Sequence, residues 1–91
     1  MDYIIQNEKN NADFMIEIEQ RARDTSGSFV DELIKVRHEL GMTQQDVADL
    51  AGVPRAAISR IERKQHSPSI ETMLRYANAL GKNVKISLID K

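Results

Sequence analysis

The sequence predicts an all-α protein of five helices, preceded by a short arm and followed by one β-strand. Apolar residues recur at helical spacing over most of the chain. Gly41, Gly52 and Gly81 each follow such a stretch, where a helix can end in the left-handed conformation. After Gly81 the apolar period changes to two, which indicates a strand. With 91 residues, of which 41% are hydrophobic and 4% aromatic, the chain makes one small domain with an aliphatic core.

Residues 1–28 are predicted to form an N-terminal arm and helix with a role of their own. Tyr3-Ile4-Ile5 is a short apolar stretch that favours extended structure. Residues 12–23 then place four apolar side chains on one helical face: Phe14, Met15, Ile18 and Ala22. Asp24-Thr25-Ser26-Gly27-Ser28 predicts a break and a short linker before the next helix, which runs from 28 to 40. This first segment holds three basic and six acidic residues.

Residues 43–63 read as two short helices joined by a tight turn. Thr43 and Asp46 have the spacing of a capping box at the start of the first helix. Gly52 ends that helix, and Pro54 has its φ pre-set for a new first turn. The outward positions of the second helix form a polar, basic surface, and they are Arg55, Ala56, Ser59, Arg60 and Arg63.

The last helix and the tail complete the predicted core and offer a contact surface. Ile70, Met73, Leu74, Ala77 and Leu80 form an apolar stripe on the last helix. In residues 82–91, Val84, Ile86 and Leu88 share one face of the predicted strand. This strand can pair with its twin in a homodimer about a two-fold axis, or with Tyr3-Ile4-Ile5 of its own chain; the two pairings do not exclude each other.

Composition excludes several classes of protein. The chain has no cysteine, so disulfides and cysteine-bound metals are excluded. It shows no signal peptide and no apolar run near the roughly 18 residues of a membrane helix, so we expect a cytoplasmic protein without a membrane partner. His38 and His66 are the only histidines, and neither lies beside paired carboxylates at ligand spacing. With no phosphate-binding loop or nucleophile motif, the sequence predicts no enzyme, metal or cofactor.

Charge distribution points to one surface in particular. The net charge is only −1, which by itself argues against strong binding to nucleic acid. Between residues 55 and 66, however, four basic side chains stand against the single acidic Glu62. The positive charge is therefore concentrated on the second short helix and the loop after it.

The motif in residues 43–63 resembles the helix-turn-helix of the phage-repressor (Cro-like, XRE) family. The matching residues are Gln44, Ala48, Gly52, Val53, Ile58 and Ile61, and the likeness continues through 67–74 and 77–81. It covers roughly residues 29–81, and implies a lambda-repressor-like DNA-binding domain over that range.

The resemblance implies double-stranded operator DNA as a partner. In such a domain the second helix of the motif lies in the major groove. The implied base-facing residues are Arg55, Ala56, Ser59 and Arg60. The implied phosphate contacts are Thr43, Gln44, Arg63, Lys64 and Gln65. The family pattern also implies a buried ion pair between Arg37 and Glu62.

The tail from 80 to 88 resembles the end of HigA-type antitoxins, which neutralise a toxin, usually an RNA-cleaving one, and repress their own operon. This likeness implies a cognate toxin as a partner. The toxin-binding residues would be Tyr3, Ile4, Ile5, Phe14, Met15 and Ile18. Three alternatives remain open: an N-terminal helix that packs on its own domain, a stand-alone repressor without a toxin, and a protein-interaction module with little DNA binding.

Overall fold

Four α-helices make up the regular structure of residues 11–90, the part of the chain that the computed structural model describes, with side chains from Met15 onward. They are α1 (Asn11–Glu39), α2 (Gln44–Ala51), α3 (Arg55–Glu62) and α4 (Ile70–Ala79). Within this part of the chain, α2 packs against both α3 and α4, and α1 packs against α3. None of the described helices is both long and apolar enough to cross a membrane.

The predicted start of α2 and the predicted turn between α2 and α3 are both confirmed in their details. The Thr43 hydroxyl accepts a hydrogen bond from the backbone N–H of Asp46 at 3.0 Å, and the Asp46 carboxylate accepts one from the N–H of Thr43 at 2.8 Å. Gly52 adopts φ 71° and ψ 33°, the left-handed conformation that ends α2. Pro54, at φ −65°, immediately precedes the first turn of α3. The capping box thus fixes where α2 begins, and Gly52 and Pro54 shape the turn that leads from α2 into α3.

The core lies where the four helices meet and is almost entirely aliphatic. Its one aromatic side chain among the described residues is Tyr76, which is fully buried. Small residues of α2 let the helices approach closely, since Ala48 and Ala51 are both buried. The buried apolar residues are Val30, Leu33, Val47, Ala48, Ala51, Ile58, Ile61, Tyr76, Ala77, Ala79 and Leu80.

The predicted break between residues 24 and 28 is wrong. Helix α1 runs without interruption for 29 residues, so the described chain has four helices where the sequence predicted five. Asp24-Thr25-Ser26-Gly27-Ser28 are weak helix formers, each costing up to about 1 kcal/mol relative to alanine. None is proline, so every backbone donor of a helix is still present. Burial of Val30 and Leu33 anchors the helix just beyond this stretch, and the segment continues it.

The predicted C-terminal strand is not present in the single chain, because residues 82–90 have no regular structure. A strand requires a hydrogen-bonded neighbour, and residues 11–90 supply none. Val84 is half-buried against the core, whereas Leu88 and Ile89 are exposed. Tyr3-Ile4-Ile5, the other predicted pairing partner, lies outside the described residues.

Two residues of the predicted apolar stripe on the last helix are instead exposed, as are two leucines elsewhere in the fold. Leu40 and Leu50 are 50% and 64% exposed, and Ile70 and Leu74 are 57% and 43% exposed. The short helices α2 and α4 bury only a narrow stripe, so Leu50, Ile70 and Leu74 at its edges stay in solvent. Ile70 and Leu74 line a groove of about 360 Å³ between α1, α4 and the tail.

Candidate nucleic-acid interface

Helix α3 presents a cationic face to solvent. Arg55, Arg60 and Arg63 are exposed, and none of their side chains makes a hydrogen bond or ion pair with another described residue. Ala56 is exposed between them, and Ser59 is half-buried. The opposite side of α3 is held in the core by Ile58 and Ile61. The structure therefore leaves three guanidinium groups free along one helix and its end.

The five residues predicted to contact phosphate differ in whether their side chains already have a partner within the protein. Gln65 and Arg63 are exposed and unbonded to other described side chains. The Thr43 hydroxyl is occupied by the cap of α2. Gln44 is half-buried, and its amide nitrogen donates to Glu62 Oε1 at 3.1 Å. Lys64 is paired with Asp31.

Glu62, the last residue of α3, is the acceptor at the centre of a buried polar cluster. Arg37 of α1 donates to it twice, through Nε and Nη2, both at 2.9 Å. The Tyr76 hydroxyl of α4 donates to Oε2 at 2.6 Å, and Gln44 of α2 donates to Oε1. Arg37 Nη1 also donates to the carbonyl of Met42 at 2.9 Å. One carboxylate thus joins all four helices.

The cluster keeps its members in fixed charge states. Burial acts to raise the pKa of Glu62, but the hydrogen bonds from Arg37, Tyr76 and Gln44 outweigh it, so this pKa lies below its ordinary value of 4.5. Burial and the adjacent carboxylate raise the pKa of Tyr76, so its hydroxyl remains a donor. Burial acts to lower the pKa of Arg37, and the bonds to Glu62 and Tyr76 more than offset this. The charged pair and the neutral phenol are therefore the stable arrangement.

The expected contact between Arg37 and Glu62 is thus present, but the sequence did not reveal two of its partners. Tyr76 lies between Arg75 and Ala77 on a helix whose predicted apolar stripe contains no aromatic residue. A tyrosine one residue from that stripe was the available signal, because a buried phenol needs a hydrogen-bond partner. Gln44 was assigned to DNA, although its side chain also reaches Glu62.

Lys64, two residues after the end of α3, has an unusual backbone conformation. Its φ of 56° is the only positive value at a residue other than glycine among residues 11–90. Its N–H donates to the carbonyl of Ile61 at 3.1 Å and so closes the last turn. Its ammonium group lies 2.6 Å from Asp31 Oδ1 of α1. Glycine is the usual residue at such a position.

The predicted toxin-binding residues lie far from this surface or outside the described side chains. Met15 and Ile18 are 53% and 44% exposed on the first turns of α1. With a helical rise of about 1.5 Å per residue, Met15 lies roughly 24 Å along the helix from Asp31, the residue of α1 that pairs with Lys64. Phe14 and Tyr3-Ile4-Ile5 are outside the described side chains. The described residues contain no cluster of His, Asp or Glu suited to a metal ion.

Known proteins are similar to the part of the chain that holds this surface. The sequence profile of the helix-turn-helix family matches residues 33–86. An uncharacterized HTH-type transcriptional regulator of Haemophilus influenzae is 37% identical over 70 residues, which are 77% of this chain and 71% of that protein. Another, from Methanothermobacter thermautotrophicus, is 44% identical over 46 residues, 50% of this chain and 67% of that protein.

A third relative carries a different description. Antitoxin HigA1 of Mycobacterium tuberculosis is 34% identical over 59 residues, which are 65% of this chain and 40% of that protein. The match leaves more than half of the antitoxin uncovered. No solved structure matches the chain.

Proposed function

Because the chain belongs to the helix-turn-helix family, we propose that it is a DNA-binding transcriptional regulator whose helix α3 reads the major groove. The observation that carries the proposal is the set of three free arginines on the solvent face of α3 and its end, while most other described cations are paired. Relatives described as transcriptional regulators support the same function.

Roles follow from the position of each side chain. Arg55 and Arg60 are the base-reading residues, since arginine donates two hydrogen bonds to guanine O6 and N7. Ala56 contacts a thymine methyl group, and half-buried Ser59 contributes at the edge of the groove. Arg63 and Gln65 bind backbone phosphates beyond the end of α3.

The start of α2 adds a further phosphate contact. Its first backbone N–H groups and helix dipole favour an anion there. Because the Thr43 hydroxyl caps the helix and the Gln44 amide donates to Glu62, the backbone N–H of Gln44 is the donor we assign to the phosphate. The Gln44 side chain then orients α2 rather than binding DNA through its amide nitrogen.

The experiment is selection of preferred duplexes from a random library, followed by binding titrations at fixed salt. The selected duplex should bind more tightly than a scrambled one, and Arg60→Ala should weaken binding to it by about 1–3 kcal/mol and relax preference at one base pair. Arg75→Ala is the matched control, because Arg75 is an exposed arginine of α4 paired with Glu71.

Two results would contradict the assignment. Equal binding to selected and scrambled duplexes would exclude sequence-specific regulation, and no measurable binding to either duplex would favour a protein-interaction module. An equal loss on both duplexes for Arg60→Ala would make Arg60 a phosphate contact instead of a base contact.

The tail is the segment through which we expect two copies of the chain to pair into a two-fold dimer. Ile86, Leu88 and Ile89 are exposed in the single chain, and residues 83–90 make no backbone hydrogen bond within the described part of it. We assign Val84, Ile86 and Leu88 to pairing with the tail of a second copy. Sedimentation should give a dimer for the parent and a monomer for Leu88→Lys; Lys85→Glu, in the same segment, should leave the dimer intact. A monomeric parent would contradict the pairing.

The finer proposal is that this regulator is an antitoxin which neutralises an RNA-cleaving toxin and represses its own operon. The antitoxin relative supports it, as do the exposed Met15 and Ile18 on a helix that projects ahead of the core. A stand-alone repressor fits the other relatives equally well. Binding of this chain to the protein encoded by the neighbouring gene would distinguish an antitoxin from a stand-alone repressor.

Point substitutions test this better than a truncation. Deleting residues 1–28 would cut the continuous α1 and leave uncapped N–H groups beside buried Val30. Met15→Ser with Ile18→Ser should abolish capture of the co-expressed neighbouring protein, whereas Gln20→Ser should not. Capture that survives the double substitution would exclude this surface as the toxin site.

A further inference from the structure

Two locally unfavourable residues meet where α1 passes the C-terminal end of α3. Gly27 lies inside α1, where glycine is a weak helix former. Lys64 has the positive φ described above, where glycine would be unstrained. A Cβ built on Gly27 would lie 3.7 Å from Lys64 Cδ, so the lysine stem crosses α1 at the glycine. Backbone strain that a protein retains at a non-glycine residue often marks a functional position, so the positive φ of Lys64 suggests a functional role for its side chain.

The crossing delivers the Lys64 ammonium group to Asp31, one helical turn beyond Gly27. The Nζ to Oδ1 distance is 2.6 Å, and the two side chains are 42% and 60% exposed. The neighbouring Arg63 has no such partner among the described residues. Of the two adjacent cations at the end of α3, one is therefore free and one is neutralised.

We propose that Asp31 competes with DNA for Lys64: it holds the ammonium group against α1 in the free protein, and binding transfers Lys64 to a backbone phosphate. The inference rests on the proposed function, because it requires a duplex on the α3 face. It assigns Asp31 and Gly27, which contact no DNA, a role in setting affinity.

Competition follows from the charges at this point. A carboxylate beside the end of α3 repels a phosphate that approaches the same ammonium group. Each transfer breaks one exposed ion pair to make another, so Lys64 adds little net affinity while Asp31 is present. The free protein is thus held below the affinity that its cationic face would otherwise give.

The test is a double-mutant cycle in duplex-binding titrations across a range of salt concentrations. Asp31→Asn keeps the shape of the side chain and should tighten binding about two- to fivefold, the range of an exposed ion pair. The slope of log affinity against log salt should steepen by up to about 0.9, the value for one added phosphate contact. In a Lys64→Met background, which keeps the stem over Gly27, Asp31→Asn should change both quantities only by the small general-charge effect that Glu32→Gln also gives.

Glu32→Gln is the matched control, since it removes the same charge from the next residue of α1. It should give a smaller change that is the same with Lys64 or Met at position 64. All these residues are exposed, and thermal unfolding of each variant checks that the fold is kept.

Distinct results would overturn the proposal. Weaker binding by Asp31→Asn would mean that Asp31 positions Lys64 for the phosphate. Tightening by Asp31→Asn that is as large in the Lys64→Met background as in the parent would mean that only the general charge matters. If the parent binds DNA and Asp31→Asn leaves that affinity unchanged, this inference alone fails. If the parent binds no duplex at all, the proposed function fails with it.

Discussion

Tyr76→Phe tests whether the polar cluster around Glu62 holds the four helices together. The Tyr76 hydroxyl is fully buried and donates to Glu62 Oε2 at 2.6 Å. A hydrogen bond to a charged acceptor contributes about 1.5–3 kcal/mol. Since Oε2 keeps its bond from Arg37 Nε at 2.9 Å, it is not left unsatisfied, and we expect the lower part of this range, about 1.5–2 kcal/mol. In a domain of this size that lowers Tm by roughly 6–16 °C.

Thermal and urea unfolding followed by circular dichroism, at one fixed protein concentration, measure this change. The same substitution in a Glu62→Gln background should cost much less, because the charged acceptor is gone. The pH dependence gives a second check. The pKa of Tyr76 is raised above its ordinary 10.0, so its contribution is complete below pH 10.0 and is lost as pH rises through the folded-state pKa.

Tyr76→Phe should therefore unfold with less dependence on pH above 10 than the parent. A Tm within 2 °C of the parent at neutral pH, outside the range estimated above, would refute the reasoning. It would mean that the hydroxyl bond contributes nothing beyond what the ring itself supplies.

Three further outcomes follow from the same structure. Arg37→Ala should lower the free energy of unfolding in urea by about 3–5 kcal/mol, because it leaves Glu62 buried without its charge partner. The control Arg75→Ala, at an exposed ion pair, should lower it by under about 1 kcal/mol. Equal losses would contradict burial of the Arg37–Glu62 pair. The lowered pKa of Glu62 means that its stabilisation is complete above pH 4.5 and is lost as pH falls through the folded-state pKa, so the parent should lose more stability than Glu62→Gln on acidification; parallel pH profiles would exclude this. Gly52→Ala should lower the free energy of unfolding by about 1 kcal/mol or more because of its φ of 71°, and an unchanged midpoint would contradict a left-handed turn.

The parts of the fold that local chemistry decides were predictable from sequence. Thr43 and Asp46 form a capping box and Gly52 a left-handed turn, since each depends on residues within one or two helical turns. The linker at 24–28 was not, because weak helix formers only bias a segment and burial of neighbouring residues decided it. The tail was also not predictable, because a strand needs a partner and one chain cannot provide it.

The candidate site divides in the same way. The outward face of α3 followed from helical period, and Arg55, Arg60 and Arg63 are exposed as that period predicts. Two contacts depend instead on how helices pack over long sequence separations. They are the hydrogen bond from Gln44 to Glu62 and the pairing of Lys64 with Asp31 across 33 positions. No local pattern contains that information, so these contacts required the structure.

The position of Glu62 at the very end of α3 has a consequence for how such a protein diversifies. The side chains that mount this helix are Ile58, Ile61 and Glu62, and none of them belongs to its outward face. Substitutions at the exposed Arg55, Ala56 or Arg60 therefore leave in place the buried contacts that hold the helix. Such a protein can change the chemistry of this exposed face in a few substitutions while keeping the contacts that maintain its fold.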